Sequence, residues 1–506
     1  MRYKTISNAK RSQNGAINLK MTDLEKKLHS NITISSCPKK HHRGLDKAVP
    51  PAETVRNVND TLRRIDLDLV KEIMRIDSGR LDIPVYVCEA GKDCNTPTRR
   101  SMGKGPTPDQ SAASALMELV ERFSHANFPR RDTRLWGTID QINAETPSIE
   151  SLFWLPYRAS QTSGDGQTEF TTLPFSWVPA YNLVTQKDVM VPYEWFADIF
   201  GTNGLSAGNT LAETILQGLC EVVERHVSGI VNMVKKPVPV IDLASVTDET
   251  AQELLEKFNR NRIRLVCLDF SLDTGIPTVG GIAYDPSTFP NSEIVFCAGT
   301  ATHPEKALIR TVTEIQQMAV DYFKEDYYAG GILPKFKHFR EFEYLFDDND
   351  AVPIQALPDV SADDMADEIK NCAHALSQID LFPLVMDISH PKLGIPAVFV
   401  VVPGAAQYEN LFYRLSAAYH LGRRLMHLGR FDDAINKFKT SIDAFPQSSL
   451  HCIYQTAECL KYQQKWEEAI AVYKNSLRHG PDRAMQYRIF HSISVCSDRL
   501  KKAHVA

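Results

Sequence analysis

The chain has 506 residues, 43% hydrophobic and 24% charged, an ordinary balance for a globular protein and enough length for two or three domains with a large core. A net charge of −5 gives no electrostatic reason to expect nucleic acid or an anionic membrane as the main partner. There is no apolar run of about 18 residues, so no spanning helix is expected, and the N-terminal "MRYKTISNAKRSQNGAINLKM" lacks the apolar segment of a secretory signal.

Residues 1–50 are basic and polar, and they read as a mobile leader with one short helix at "TDLEKKLHS". Helical periodicity begins near Ala52, with Pro51 just ahead of it. From there to residue 408, helices alternate with β-rich runs, so 51–408 is expected to be a mixed α/β domain. The clearest strands are "IPVYVCEA", "IRLVCLDFS", "PTVGGIAYD", "EIVFCAGT", "LVMDIS" and "PAVFVVVPG". "AVFVVV" is apolar on both faces and belongs inside a covered sheet. Residues 160–172 read as a loop. The ten cysteines are scattered and form no C-x-x-C, which argues against a zinc ribbon or a disulfide framework. Reduced thiols and a cytoplasmic location are the default expectation.

Residues 409–506 change to almost pure helix, with a repeat. "GRFDDAINKFKTSIDAFPQ" from Gly429 is echoed by "QKWEEAIAVYKNSLRHGPD" from Gln464. Phe431 aligns with Trp466, Ala434 with Ala469, Phe438 with Tyr473, Pro446 with Pro481, Tyr419 with Tyr454 and Gly422 with Ala457. This spacing is close to the tetratricopeptide period, and "DRAMQYRIFHSISVCSDRL" is expected to supply a capping helix.

The chemistry lies in three polar stripes on otherwise apolar helices: Ser114/Glu118/Glu121, Gln217/Glu221/Glu224 and Arg310/Glu314/Gln317. The i, i+4, i+7 spacing puts each set on one helix face. A solvated face with surface pairs such as Glu121–Arg122 or Glu224–Arg225 is the bland account of any single stripe. Against it, the neighbours are apolar on most sides, and the pattern recurs. Buried carboxylates need a cation, and oxygen ligands suit Mg²⁺, which commonly arrives with nucleotide phosphates. Arg310 adds the best phosphate partner among side chains. Gly103-Lys104-Gly105, leading into a helix that begins near Pro108, could let backbone N–H groups and Lys104 approach phosphate. No Walker loop occurs. His226 reads as a packed histidine, His303 as a helix opener and His41-His42 as solvent-exposed.

The blocks "MGKGPTPDQSAASALMELVERFS", "TNGLSAGNTLAETILQGLCEVVERH" and "AGTATHPEKALIRTVTEIQQ" resemble, in this order, the three signature blocks of the YcaO family. The resemblance runs over about residues 40–408. It implies YcaO-type sheets covered by helices, and ATP- and Mg²⁺-dependent activation of a backbone amide by O-phosphorylation. By position it implies Glu118, Glu121, Glu221 and Glu224 as metal ligands, and Lys104, Ser114, Gln217, Arg310 and Glu314 as nucleotide contacts. Arg310 and Glu314 are the catalytic pair. It further implies a peptide or protein substrate and a homodimer, with a TfuA-like or other partner able to dock on the tetratricopeptide tail.

Azoline-forming members often end in a proline-rich tail, and this chain ends "SDRLKKAHVA". Thioamidation, or an accessory role in sulfur modification, is therefore favoured over a cyclodehydratase. A non-catalytic scaffold for protein methylthiolation is the rival expectation.

Overall fold

Helix α1 (Pro51–Arg64) opens with a proline in its first turn, where the missing N–H costs nothing. The structure is a computed structural model. It describes residues 29–505 except 78–79, 97, 129–133, 154–164, 236, 288–293, 320–335, 337, 347–350, 408–413 and 482. After α1, strands β1 (Val70–Arg75), β2 (Val85–Ala90) and β3 (Arg100–Lys104) form an antiparallel sheet. Helix α2 (Pro108–Asn127) covers it, capped by Thr107, whose side chain accepts from the Gln110 N–H. The apolar face of α2, with Leu116, Leu119, Val120 and Phe123, shares a small core with α1 and this sheet.

A six-stranded antiparallel sheet follows. It combines β4 (Leu135–Gly137), β5 (Phe175–Asn182), β6 (Lys187–Pro192) and β7 (Leu205–Ala207) with two strands from much later in the chain. Helix α3 (Tyr193–Phe200) follows β6, and α4 (Leu211–Val234) follows β7, capped by Thr210. Strand β8 (Ile241–Asp242) and helix α5 (Glu249–Arg260) lead to a second three-stranded sheet of β9 (Arg264–Asp269), β10 (Thr278–Tyr284) and β11 (Ile294–Thr300). Helix α6 (Pro304–Ala319) packs on that sheet. Strand β12 (Val352–Pro353) pairs with β8 in parallel, and α7 (Met365–Ser377) precedes β13 (Leu384–Asp387) and β14 (Ala397–Val401). Strand β14 lies between β13 and β7, and all five of its residues are buried, as its two-faced apolarity predicts.

The tail contains α8 (Ala417–His427), α9 (Phe431–Ala444), α10 (Ser449–Tyr462), α11 (Trp466–Ser476) and α12 (Arg483–Val505). The repeat is visible as geometry. Tyr419 and Phe438 hold ring centroids 5.9 Å apart, and their repeat counterparts Tyr454 and Tyr473 hold theirs 5.7 Å apart. A Cβ on Gly422 would sit 2.7 Å from the Phe438 ring, so a small residue is required where the paired helices touch. The tail is fixed to the body through Asp198 on α3, which meets Nδ1 of His420 and Nε of Arg423, each at 2.8 Å.

Two expectations are corrected. The leader assigned to 1–50 divides: residues 1–28 and the short helix expected there lie outside the described residues, whereas 29–50 are held against the body. The Cys37 N–H donates to Asp364 (2.9 Å), Lys39 pairs with Glu368 (2.7 Å) and the Ala48 N–H donates to Glu213 (2.8 Å). Those bonds come from residues about 165 or more positions away, beyond the reach of a reading based on local composition. The loop assigned to 160–172 contains a helix at Asp165–Thr172, anchored by the buried Phe170.

Candidate functional site

Three helices and the end of β3 meet at the striped faces. The backbone N–H of Met102 on β3 donates to Glu118 on α2 (3.2 Å). Lys104, the last residue of β3, forms an ion pair with Glu314 on α6. From α6, Arg310 Nη1 donates to Gln217 on α4 (2.7 Å), and its Nη2 lies 3.9 Å from Glu224. The Thr300 N–H at the end of β11 donates to Glu224 (3.3 Å). Residues from three distant parts of the chain, 102–118, 217–224 and 300–314, are thus linked in one cluster.

The charge in this cluster is unbalanced locally. Arg122 lies 3.4 Å from Glu118 and 3.2 Å from Glu121, so one guanidinium serves two carboxylates. Glu221 makes no hydrogen bond or ion pair among the described residues. Burial pushes the Glu118 carboxyl above its usual range despite Arg122. Burial pushes Glu121 up further; Arg122 opposes this, while Glu221 and Glu118 add to it. Glu221 is raised by burial; Arg225, Arg122 and Arg310 oppose this, while Glu224 adds to it. Burial also lowers the Lys104 ammonium to about 8, with Arg310 contributing and Glu224 opposing.

These residues fit an anion–cation pair as ligand. Nε of Arg310 and Nε of Arg225 are buried and make no hydrogen bond among the described residues, a costly arrangement unless an acceptor arrives. A phosphate group is such an acceptor. No three His, Cys, Asp or Glu side chains among the described residues form a closed metal cage. Mg²⁺ does not require one, because it is commonly held by one or two carboxylates together with substrate phosphates and water.

Gly103 has a different role from the one its motif suggests. It sits within β3, and a Cβ there would lie 2.1 Å from the Ser111 carbonyl oxygen and the Ala115 nitrogen. The glycine lets the strand lie on α2, and Ser111 Oγ ties the two by donating to the Gly103 carbonyl (2.8 Å). Ser114 is half-buried and has no hydrogen bond among the described residues.

Arg122 and Arg225 are half-buried within the cluster, not surface pairs; the recurring "VER" tripeptide was the signal for them. A small cavity of about 60 Å³ between Gln217 and Arg310 is also lined by Lys47, Lys306, Thr300 and Glu213. Lys306 lies four residues before Arg310, on the same helix face. Lys47 carried no sequence signal. His226 is structural: its Nδ1 accepts from the Ala406 N–H (2.8 Å). His303 opens α6, where its Nδ1 accepts from the Glu305 N–H (3.2 Å). His42 is exposed, but His41 is half-buried and pairs with the Lys47 backbone.

A family model described as "YcaO cyclodehydratase, ATP- and Mg²⁺-binding" matches residues 102–406. A second, described as "Anaphase-promoting complex, cyclosome, subunit 3", matches 407–476, within the repeat tail. An uncharacterized protein in the tfuA 3′ region of Rhizobium leguminosarum bv. trifolii is 24% identical, covering 73% of this chain and 92% of that one. Among solved structures, a heterocyclase in complex with substrate and cofactor aligns with a TM-score of 0.63 at 23% identity, over 77% of this chain and 57% of the other. The structure of YcaO from Methanopyrus kandleri bound with AMPPCP and Mg²⁺ aligns with a TM-score of 0.55 at 24% identity, over 74% and 95%. The two structural likenesses bear on fold. Among the described residues, no helix is long and apolar enough to cross a membrane.

Proposed function

The chain belongs to the YcaO family, and from that premise we propose that it uses ATP and Mg²⁺ to activate a backbone amide of a peptide or protein for nucleophilic attack. The observation that carries the reading is a set of carboxylates on α2 and α4, Glu121 and Glu224 buried and Glu118 and Glu221 half-buried, beside unpartnered buried guanidinium nitrogens on Arg225 and Arg310. Of Glu118, Glu121, Glu221 and Glu224, one or two would hold each metal ion together with phosphate oxygens and water. Bound there, Mg²⁺ supplies charge neutralisation for the phosphate oxygens.

Arg310 and Lys104 bind the phosphates, and Glu314 holds Lys104 in place. Gln217 orients Arg310 through its side-chain oxygen, and Ser114 offers a free hydroxyl on the same face. The nucleophile bonds to the carbonyl carbon. The amide oxygen then bonds to the terminal phosphorus as the phosphorus–oxygen bond to ADP breaks, and loss of phosphate breaks the carbon–oxygen bond. Arg310 stabilises the charge that develops on the transferred group.

Thioamidation is the favoured outcome. With hydrosulfide as nucleophile, the sulfur proton leaves as the carbon–sulfur double bond forms, and amide, hydrosulfide and ATP become thioamide, ADP and phosphate. A relative from the tfuA 3′ region fits a TfuA-like partner for this chain. All ten cysteines of the chain are buried, and burial raises thiols such as Cys220 and Cys267 to about 12. Sulfur must therefore come from a donor outside the chain. Intact-mass comparison of proteins from strains with and without the chain tests this. An oxygen-to-sulfur gain on one protein is expected; loss of one water would indicate azoline formation, and no mass difference would refute amide activation.

A further inference from the structure

A second cavity, of about 440 Å³, lies outside the carboxylate cluster, and its volume falls within the usual range for a ligand pocket. Its walls include Phe128 at the carboxyl end of α2, Val178 on β5, Leu211 at the start of α4, and Ser389 and Pro391 on the β13–β14 connection. Helix α2 joins it to the charged cluster. At 100° per residue, Ser114, Glu118 and Glu121 share one sector of α2, and His125 and Phe128 continue that sector. One helix face therefore begins at the nucleotide contacts, passes the carboxylates, reaches His125 and ends in the cavity wall.

His125 is half-buried. Its ring lies beside Tyr193 and Phe399, at 6.4 and 6.2 Å between centroids, and its Nε2 is buried without a hydrogen-bond partner among the described residues. From Glu121 to Phe128 is seven residues of helix, about 10 Å. An extended peptide covers that distance in roughly three residues.

Resting on the function proposed above, we propose that this cavity holds the peptide substrate about three residues from the reacting amide, with the half-buried His125 on the helix face between them. The side chain it accepts has an apolar part, because Phe128, Val178, Leu211 and three prolines make up the apolar walls. His29, Ser30, Asn31, Asp387, Ser389 and His390 supply polar groups for the peptide backbone or for a polar end of that side chain.

The test fills the cavity without touching the nucleotide residues. Full-length wild type, Pro391→Trp and Leu211→Trp are each returned to a strain lacking the chain. The modified fraction of the substrate protein is read by intact mass, and Mg-ATP binding is measured on each purified protein. Pro391 is exposed, so its variant tolerates the bulk even if the Leu211 variant fails to fold. The expected result is a tenfold or greater fall in modified fraction for Pro391→Trp, with Mg-ATP affinity within about twofold of wild type. Unchanged modification by Pro391→Trp would overturn the cavity assignment and leave amide activation standing. No modification by wild type would remove amide activation itself, and the cavity assignment with it.

Discussion

Two groups of buried or half-buried carboxylates in this chain are treated in opposite ways. Where the tail meets the body, Asp198 is matched by His420 and Arg423. Burial alone would raise its carboxyl, but these two partners outweigh burial and hold it well below the usual range. Within the tail, Glu458 accepts from Lys461 (2.6 Å), Ser492 (3.2 Å) and the Tyr473 hydroxyl. In the body, Glu118 and Glu121 share one arginine, Glu221 has no close partner, and all three are raised. The chain can neutralise a buried carboxylate with its own side chains where only folding requires it. Where it does not, the missing charge is left for a ligand to bring. On the function proposed above, the carboxylates left without enough partners are those beside which a ligand-borne cation would sit.

Three measurements would break or sharpen that contrast. The largest effect is expected for Arg310→Met, which removes the guanidinium beside the phosphates; turnover should fall by about 10²–10³ in a steady-state assay. Arg423→Met, the same change at the tail junction, should leave turnover per folded molecule unchanged. Next, Asp198→Asn breaks a buried pair and leaves Arg423 uncompensated. It should cost about 3 kcal/mol of unfolding free energy in denaturant titration, with Mg-ATP affinity unaltered. A loss of Mg-ATP affinity there would erase the distinction between the two regions.

The smallest effect is in pH dependence, and its sign differs between regions. Glu121 and Glu221 are raised in the folded chain from an ordinary 4.5. The stability they contribute is fully present below that value and is lost as pH rises through their raised folded values. Asp198 is depressed from an ordinary 3.8; its contribution is present above that value and is lost as pH falls through the depressed one. Thermal unfolding of the ligand-free protein should therefore show stability draining away as pH rises above about 4.5. Mg-ATP should remove that loss, and Glu221→Gln should flatten it without any ligand.

The legibility of the sequence followed the range of the interactions. The tail repeats were readable because their contacts are local and periodic, as the matching Tyr419–Phe438 and Tyr454–Tyr473 pairs show. The stripes were readable because i, i+4, i+7 is a property of one helix. Strand β3 was missed because "RSMGK" is polar and carries a glycine, yet its backbone pairs fully with β2. Strand β5, "FSWVPAYN", was missed because Pro179 and two polar residues interrupt an otherwise buried run. Lys47 and the ordered segment 29–50 depend on partners more than a hundred residues away, which no window along the chain contains. The same long range explains the tail boundary. Leu421, Leu425 and Phe438 belong to the main core of the body, so a cut at 408 would expose it rather than release a free module.

Isothermal titration of Mg-ATP into wild type and Glu221→Gln is the most direct test of the claim that buried, unpaired carboxylates wait for a ligand-borne cation. The account predicts at least tenfold weaker binding, about 1.4 kcal/mol, by a variant that folds as well as or better than wild type in the absence of ligand. Undiminished Mg-ATP binding by that variant would contradict it.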